Sequence, residues 1–386
     1  MPSKRMHGMA LLTAIWILAL LLVMVAGFAA MVHSELEVAR NFGDLTKARW
    51  AARAGFYRAQ VEVEQRAAST YTTLDGGSQL GISAADESVT LGDGVTYQTV
   101  IEDEAGKVNI NTASSTVLST LFSEEVADAI IDWRDTDSTP QPNGAEDDYY
   151  IGLATPYHCK NAPFTTVDEL LLVKGITRDM LDAVVTEDGL KLRELLTVAS
   201  TDTNTDADGQ ARVNIATATK DQLTSALGSV FTSREFDAII KQRTSSAFTS
   251  PADLLKVPNL AREKVMAAFD KLTTTQDKAR PGLVNINTAP AEVLAALPGM
   301  DAATAQAVVQ ERTDNGAFTD VGQLLRMDQV SNELFMGIAN LLTARSKIFR
   351  VVAAGQCKDG MSQSITCVLQ ADAAGGQSSQ ILYWQE

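Results

Sequence analysis

Lys4-Arg5-Met6-His7-Gly8-Met9-Ala10-Leu11-Leu12-Thr13-Ala14-Ile15-Trp16 opens the stretch from which the rest of the chain is read. From Met9 to Val32, twenty-four residues pass without a charge. The apolar core of a bilayer is ~30 Å thick and takes ~20 helical residues to cross. At ~1.5 Å per residue this run reaches roughly 36 Å, enough to span with some tilt. An ordinary secretory signal has an apolar region of only ~7–15 residues before its cleavage site. Here the run passes straight into residues 33–65, which are polar, free of Pro and interrupted only by Gly43 and Gly55. The spacing predicts one continuous helix over 9–66. The basic residues before it should stay on the cytoplasmic side and leave the bulk outside.

Composition narrows the function classes. The chain has 386 residues, more than one typical domain, and its 45% hydrophobic content suffices for real cores. Acidic residues outnumber basic ones 48 to 32, a formal net charge of −16, which repels nucleic acid phosphates and suits cation binding or an exported surface. Three cysteines, Cys159, Cys357 and Cys367, allow at most one disulfide. Cys357 and Cys367 flank the turn signal Lys358-Asp359-Gly360-Met361 between two alternating runs. A tight turn would set Cys357 opposite Ser362, whereas a longer loop would bring Cys357 and Cys367 together as a disulfide. Both arrangements stand open in the sequence.

The middle of the chain repeats itself. Val108-Asn109-Ile110-Asn111-Thr112-Ala113 returns at 213–218, with Ala216 for the second Asn, and again unchanged at 284–289. Each copy leads into a helical stretch ending Ala-x-x-x-x-Arg, at Arg134, Arg243 and Arg312. Then comes Phe-Thr, at Phe164, Phe248 and Phe318, with Leu-Leu six residues on. This marks one supersecondary unit used three times. Thr112, Thr217 and Thr288 are expected as N-caps, and Pro290 and Glu292 suit a first helical turn. Val293, Leu294, Leu297, Ala305, Val308 and Val309 have helical spacing, and Leu297-Pro298-Gly299-Met300 separates two helices.

The frame around the repeats alternates with period two, at 95–100, 349–370 and 381–384. The expected fold is therefore α+β: a long N-terminal helix on an antiparallel sheet, with an all-α insertion between strands. The expected boundaries are a leader at 1–8, the helix at 9–66, the first part of the sheet at 67–106 and the insertion at 107–345. Its three units fall at 107–197, 210–275 and 282–345, and the closing strands at 346–386.

The basic leader ending at Gly8, followed by a helix that is greasy first and amphipathic later, resembles the prepilin class. That resemblance implies cleavage by a prepilin peptidase after Gly8 and N-methylation of Met9. An uncleaved anchor and a conventional cleaved signal are the other readings of the same junction. Together with the interrupted sheet and the stretch Gly144-Ala145-Glu146-Asp147-Asp148-Tyr149-Tyr150, the chain resembles the minor pseudopilin K family of type II secretion systems. It carries one helical unit more than that family's usual two. The resemblance implies a subunit held in the bacterial inner membrane by one pass, with its bulk in the periplasm. It implies a place at the pseudopilus tip with minor pseudopilins I and J and other pseudopilins, and contact with the exported protein or the secretin. Most pilins carry Glu at the fifth processed position; here it is Thr13, as suits a subunit with no neighbour above it to pair. Ala48, Ala51, Ala52, Gly55 and Ala59 offer small residues for close approach to neighbouring helices.

Five carboxylates crowd the insertion between Arg134 and Phe164: Asp135, Asp137, Glu146, Asp147 and Asp148. They repel one another unless a cation sits among them, and calcium takes six to eight hard oxygens in flexible geometry. The family resemblance implies calcium at these five; a solvated acidic loop is the alternative. Asn204, Asp206 and Asp208, followed by Gly209, match the opening of an EF-hand loop, although Ile215 stands where its closing Glu belongs.

The repeats also resemble the helix-hairpin-helix unit of DNA-binding proteins, whose hairpin amides meet a phosphate. In that comparison Asp301 stands at the second Gly, and 258–260 and 174–177 are the hairpins of the other copies. A carboxylate at the phosphate seat opposes DNA, so no nucleic acid partner is expected. A membrane-anchored DNA-binding protein of competence type and a type IV pilus tip component remain the alternative functions. No enzyme is expected: His158 and Cys159 are adjacent, and nothing marks a proton acceptor or activated water.

Overall fold

The computed structural model describes residues 6–67, 70–73, 88–371 and 379–386. One helix, Met6–Ala67, runs unbroken from the apolar stretch into the polar one. Its segment Met9–Glu64 is long and apolar enough to cross a membrane. Residues 9–32 lie exposed, and burial begins at Ala48. From there Ala48, Ala51, Ala52, Phe56, Ala59 and Val63 form one face at helical spacing. That face packs on the chain's own sheet, so the small residues expected to meet neighbouring helices are consumed within the subunit. The close approach is forced from both sides. A Cβ on Gly55 would lie 2.7 Å from Thr99 Oγ1, and one on Gly355 would lie 2.6 Å from Ala52 N. Sequence shows a stripe of small residues but not which surface it meets.

Among the described residues the sheet has five antiparallel strands in sequential order: β1 (Val89–Gly92), β2 (Val95–Asp103), β3 (Ile348–Gln356), β4 (Ser362–Gln370) and β5 (Gln380–Gln385). β2 and β3 are neighbours, with Val351 opposite Ile101, although the helical body intervenes between them. Phe56, Ile101, Phe349, Val351, Ala353, Cys367 and Leu369 make up the core between sheet and helix. β5 is an edge strand with Ile381, Leu382, Tyr383 and Trp384 exposed.

The β3–β4 hairpin corrects the expected disulfide. Gln356, and not Cys357, pairs with Ser362, so the turn is a three-residue one in which Cys357 N donates to Met361 O at 2.9 Å, and Cys367 falls opposite Val351. Cys357 and Cys367 are both free and buried. Cys357 Sγ contacts Asp44 O at 3.1 Å, while burial pushes the Cys367 thiol up to about 12.

Each helical unit is closed by a parallel two-residue ladder: Val108–Asn109 with Leu196–Thr197, Val213–Asn214 with Leu272–Thr273, Val284–Asn285 with Leu342–Thr343. The recurring residues have separate tasks. The first Asn accepts from the backbone two residues on, Asn285 Oδ1 from Asn287 N at 3.0 Å for example. The recurring Arg ties the end of the second helix back onto this turn. Arg243 donates to Ile215 O and Ala218 O, and Arg312 to Ile286 O and Ala289 O, all at 2.6–2.8 Å. Phe164, Phe248 and Phe318 are buried beneath. The threonines do not cap: the caps are Ser114, Thr219 and Pro290, two residues later. The Asn-led turn occupies the place that the sequence assigned to the cap.

The helical body is joined to the sheet at Asp103, the buried last residue of β2. Its carboxylate accepts from Ala105 N at 2.8 Å, Asn285 Nδ2 at 2.8 Å and Thr288 Oγ1 at 2.7 Å. Glu104 beside it is paired with Lys107 at 3.2 Å and Arg350 at 2.8 Å. Thr72 is held at the same joint, its N–H on Ala344 O at 2.9 Å.

Candidate metal centre

The helix Glu124–Arg134 carries Asp128 and Asp132 four residues apart, hence on one face, and both are buried. Asp132 Oδ1 accepts from Gln141 N at 2.9 Å and Oδ2 from Ala145 N at 2.6 Å. Asp128 accepts from Asn143 N at 3.2 Å, and Lys174 Nζ reaches Asn143 O and Gly144 O, each at 3.0 Å. The loop is thereby folded back across the helix end, and Glu146 is carried toward Asp135 and Asp137.

Asp135, Asp137 and Glu146 each offer an oxygen within 4.8 Å of the others, the one such gathering of acidic, His or Cys groups among the described residues. Both oxygens of Glu146 and Oδ1 of Asp135 are buried without a hydrogen-bond partner. Burial first, and then Asp132, Asp135 and Asp137, push the Glu146 carboxyl above its usual range. Burial and Asp137 do the same to Asp135. The cations that could relieve them are committed elsewhere: Lys160 to Glu169 at 2.8 Å, Lys174 to the two loop carbonyls, and Arg134 to Ile110 O and Ala113 O. Three converging, desolvated carboxylates with unpaired oxygens fit a hard divalent cation such as calcium. Asn161 lies alongside, its Nδ2 on Asp137 O at 2.9 Å and its Oδ1 buried without a partner.

Two of the five expected ligands are not brought into this group. Asp147 accepts from His158 Nδ1 at 2.9 Å and from Cys159 N at 2.8 Å, and those bonds hold its carboxyl below the usual range. Asp148 is exposed. Glu146 stands at the N-cap position of the short helix Asp147–Ile151 without making a side-chain capping bond, and successive helical side chains turn ~100° apart. One of three consecutive acids can then face the site. Sequence reading missed Asp128, Asp132, Asn161 and Lys174; the i, i+4 spacing of the two aspartates on an apolar helix was the available signal. His158 and Cys159 diverge, Cys159 Sγ lying 3.8 Å from Asp132 O.

The second expected set does not form an EF-hand. Asp206 Oδ1 accepts from Asp208 N at 3.1 Å and Gln210 N at 2.7 Å, so its oxygen closes its own turn. Asn204 Nδ2 donates to Asp277 O at 3.0 Å, and Asp208 is exposed. A short strand pairing, Thr201–Thr203 with Ala279–Pro281, precedes this turn where an EF-hand would have a helix.

The hairpin comparison is also corrected. Leu297-Pro298-Gly299-Met300 joins the first two helices of its unit, whereas 174–177 and 258–260 join the later pair of theirs. Asp301 is an N-cap, its Oδ1 accepting from Thr304 N at 2.7 Å, so the helix start is filled by the chain's own carboxylate. At the N-terminus, Gly8 and Met9 lie within the long helix, and residues 1–5 of the expected leader lie outside the described residues. Thr13 Oγ1 donates to Ala10 O at 2.9 Å, within its own helix.

Residues 112–185, which contain the metal centre, match the family model of type II secretion system protein K, first domain. Residues 281–343 match a helix-hairpin-helix motif. A type II secretion system protein K of Pectobacterium carotovorum is 42% identical over 15% of this chain, a stretch that spans only 17% of that relative's length. The protein of the same name from Klebsiella pneumoniae is 25% identical over 69% of this chain and 84% of its own. A chain in the crystal structure of the GspK-GspI-GspJ complex of enterotoxigenic Escherichia coli aligns over 92% of this chain and 98% of its own, at 13% identity and a TM-score of 0.43.

Proposed function

The family match over residues 112–185 makes this chain a relative of type II secretion system protein K, and from that premise we propose that it is a minor pseudopilin. The observation that carries the reading is the division of the long helix. Its first half is exposed and of membrane length, while its second half packs onto a sheet that carries a large helical body. A subunit so built anchors in the inner membrane and joins a helical filament through the exposed half. Its bulk, placed between β2 and β3, sits where further subunits would stack and so caps the filament tip. The exposed apolar edge β5 is the side we assign to minor pseudopilins I and J, since an unpaired strand edge with Ile381, Leu382, Tyr383 and Trp384 exposed invites another chain.

Calcium in this reading is structural. Asp135, Asp137 and Glu146 would hold it, and the ion would lock the loop 135–161 against the helix end. Nothing in the arrangement assigns it a reaction. The helix-hairpin-helix reading is weaker, because Asp301 occupies the donors that a phosphate would need.

Intact mass of the protein recovered from membranes, with and without prepilin peptidase, tests the proposal. Loss of residues 1–8 and gain of one methyl group, only when the peptidase is present, is the expected result. A full-length mass in both cases would overturn it.

A further inference from the structure

Between the second and third helical units lies a cavity of about 220 Å³, with Arg212, Arg280, Arg345, Asp270, Asp320 and Asn340 in its lining. At ~30 Å³ per water it has room for a small ion and several waters. Its charges are unevenly matched. Asp270 Oδ1 takes Arg212 Nη2 at 2.9 Å and Arg345 Nη2 at 3.2 Å, and its Oδ2 takes Ala207 N at 2.6 Å, so that carboxylate is saturated. Arg345 is buried, and besides Asp270 it pairs with Asp202, whose Oδ2 stands 3.7 Å from its Nε. Arg280, on the strand Ala279–Pro281, has no carboxylate within 4.0 Å among the described residues. Burial, and next Arg212, pull its guanidinium down to about 10. Arg280 is half-buried, and a guanidinium set beside two others with no carboxylate of its own in reach leaves this cavity locally positive.

We propose that this cavity binds a small oxyanion, seated on the Arg280 guanidinium, with the charges of Arg212 and Arg345 beside it and Asn340 at the rim. A guanidinium presents paired N–H donors that match the oxygens of phosphate, sulfate or carboxylate. Asp320, across the cavity, limits affinity by its own charge. The shared chemistry has two sources: a free inorganic anion, or the carboxylate of a peptide.

Thermal unfolding of the full chain in detergent, without calcium and at fixed ionic strength, tests this as chloride is replaced by phosphate, sulfate or acetate. The wild-type midpoint should rise saturably with at least one of them. Arg280→Met should match or exceed the wild-type midpoint in chloride and need about tenfold or more anion for the same gain, the loss of one charge-assisted contact. Asp320→Asn should respond at lower anion concentration than wild type. A response to phosphate and sulfate alone supports an inorganic ligand. A response to acetate, and to a short peptide acid but not its amide, supports a carboxylate. No anion-specific rise in wild type, or a midpoint loss in Arg280→Met that is equal in chloride and in every anion, would overturn the site.

Discussion

The carboxylate of Asp132 lies flush against the Cα of Gly144, leaving no space for a Cβ between them. Asp132 is fully buried, and the same two oxygens hold Gln141 N and Ala145 N. The loop that delivers Glu146 is therefore threaded through a gap only glycine can occupy. Gly144→Ala should push the loop off the helix end and cost about 1–3 kcal/mol, as overpacking does in a filled interior. Urea unfolding with calcium in excess and with a chelator checks it: the loss should be larger in calcium, because the displaced loop also misplaces Glu146.

Calcium response should depend on pH in one direction. Glu146 and Asp135 have carboxyls raised above their ordinary values of 4.5 and 3.8. Without metal, the folded state then holds protons more tightly than the unfolded state. Stability is fully kept below the ordinary carboxylate range and is lost as pH rises through the raised values. Added calcium competes with those protons, so it should raise the unfolding midpoint at pH 7 and have little effect near pH 4. Glu146→Gln should be at least as stable as wild type in chelator at pH 7 and should lose most of the calcium response.

Asp147 gives the contrasting case. Its partners are His158, which is exposed, and Cys159 N. An exposed pair of this kind contributes about 0–1 kcal/mol. Asp147→Asn should leave the half-saturating calcium concentration within about twofold of wild type by the same measurement. A loss as large as that of Glu146→Gln would return Asp147 to the ligand set.

The thiols can be counted directly. With Gln356 paired to Ser362 and Cys367 opposite Val351, the hairpin has no geometry for a bridge between Cys357 and Cys367. Unfolding the protein without reductant should titrate all three cysteines, and reductant should leave the folded midpoint unchanged. Two missing thiols would show that the hairpin is held covalently.

The parts of this fold that sequence disclosed are those governed by local rules. A charge-free run without Pro is a helix whatever surrounds it, and a three-times recurring Val-Asn pair marks units that close on themselves. What sequence could not disclose depends on partners distant along the chain. The stripe at Ala48, Ala51, Ala52 and Ala59 looks the same whether it meets a neighbour or, as found, the chain's own Gly355. Glu146, Asp147 and Asp148 are equivalent as letters, and only the turn of a short helix selects the first. The capping positions were displaced by two residues because an Asn side chain closes a turn that composition alone does not reveal.

The second Asn of the recurring motif supplies the sharpest comparison within the molecule. Asn287 is fully buried; its Nδ2 donates to Phe318 O at 2.9 Å and Ala344 O at 3.4 Å, and its Oδ1 accepts from Phe318 N at 2.8 Å. Asn111 clamps Phe164 in the same way, with Nδ2 on Phe164 O at 3.0 Å and Oδ1 on Phe164 N at 2.7 Å. The middle unit has Ala216 at this place, so its loop at Phe248 is held by packing and by Asp253, which accepts from Thr249 N at 2.7 Å and Ser250 N at 2.9 Å. Asn287→Ala would strand buried backbone groups, each at a cost of about 1–3 kcal/mol, and should lower stability by about 2–4 kcal/mol overall. Because the unit that contains it joins the sheet through Asn285 and Asp103, the loss should appear as one cooperative shift of the whole domain in urea unfolding. Ala252→Ser in the middle unit tests the converse: a hydroxyl in a fully buried apolar seat should destabilise that unit alone, and hydrogen exchange should rise at Phe248 while Phe318 stays protected.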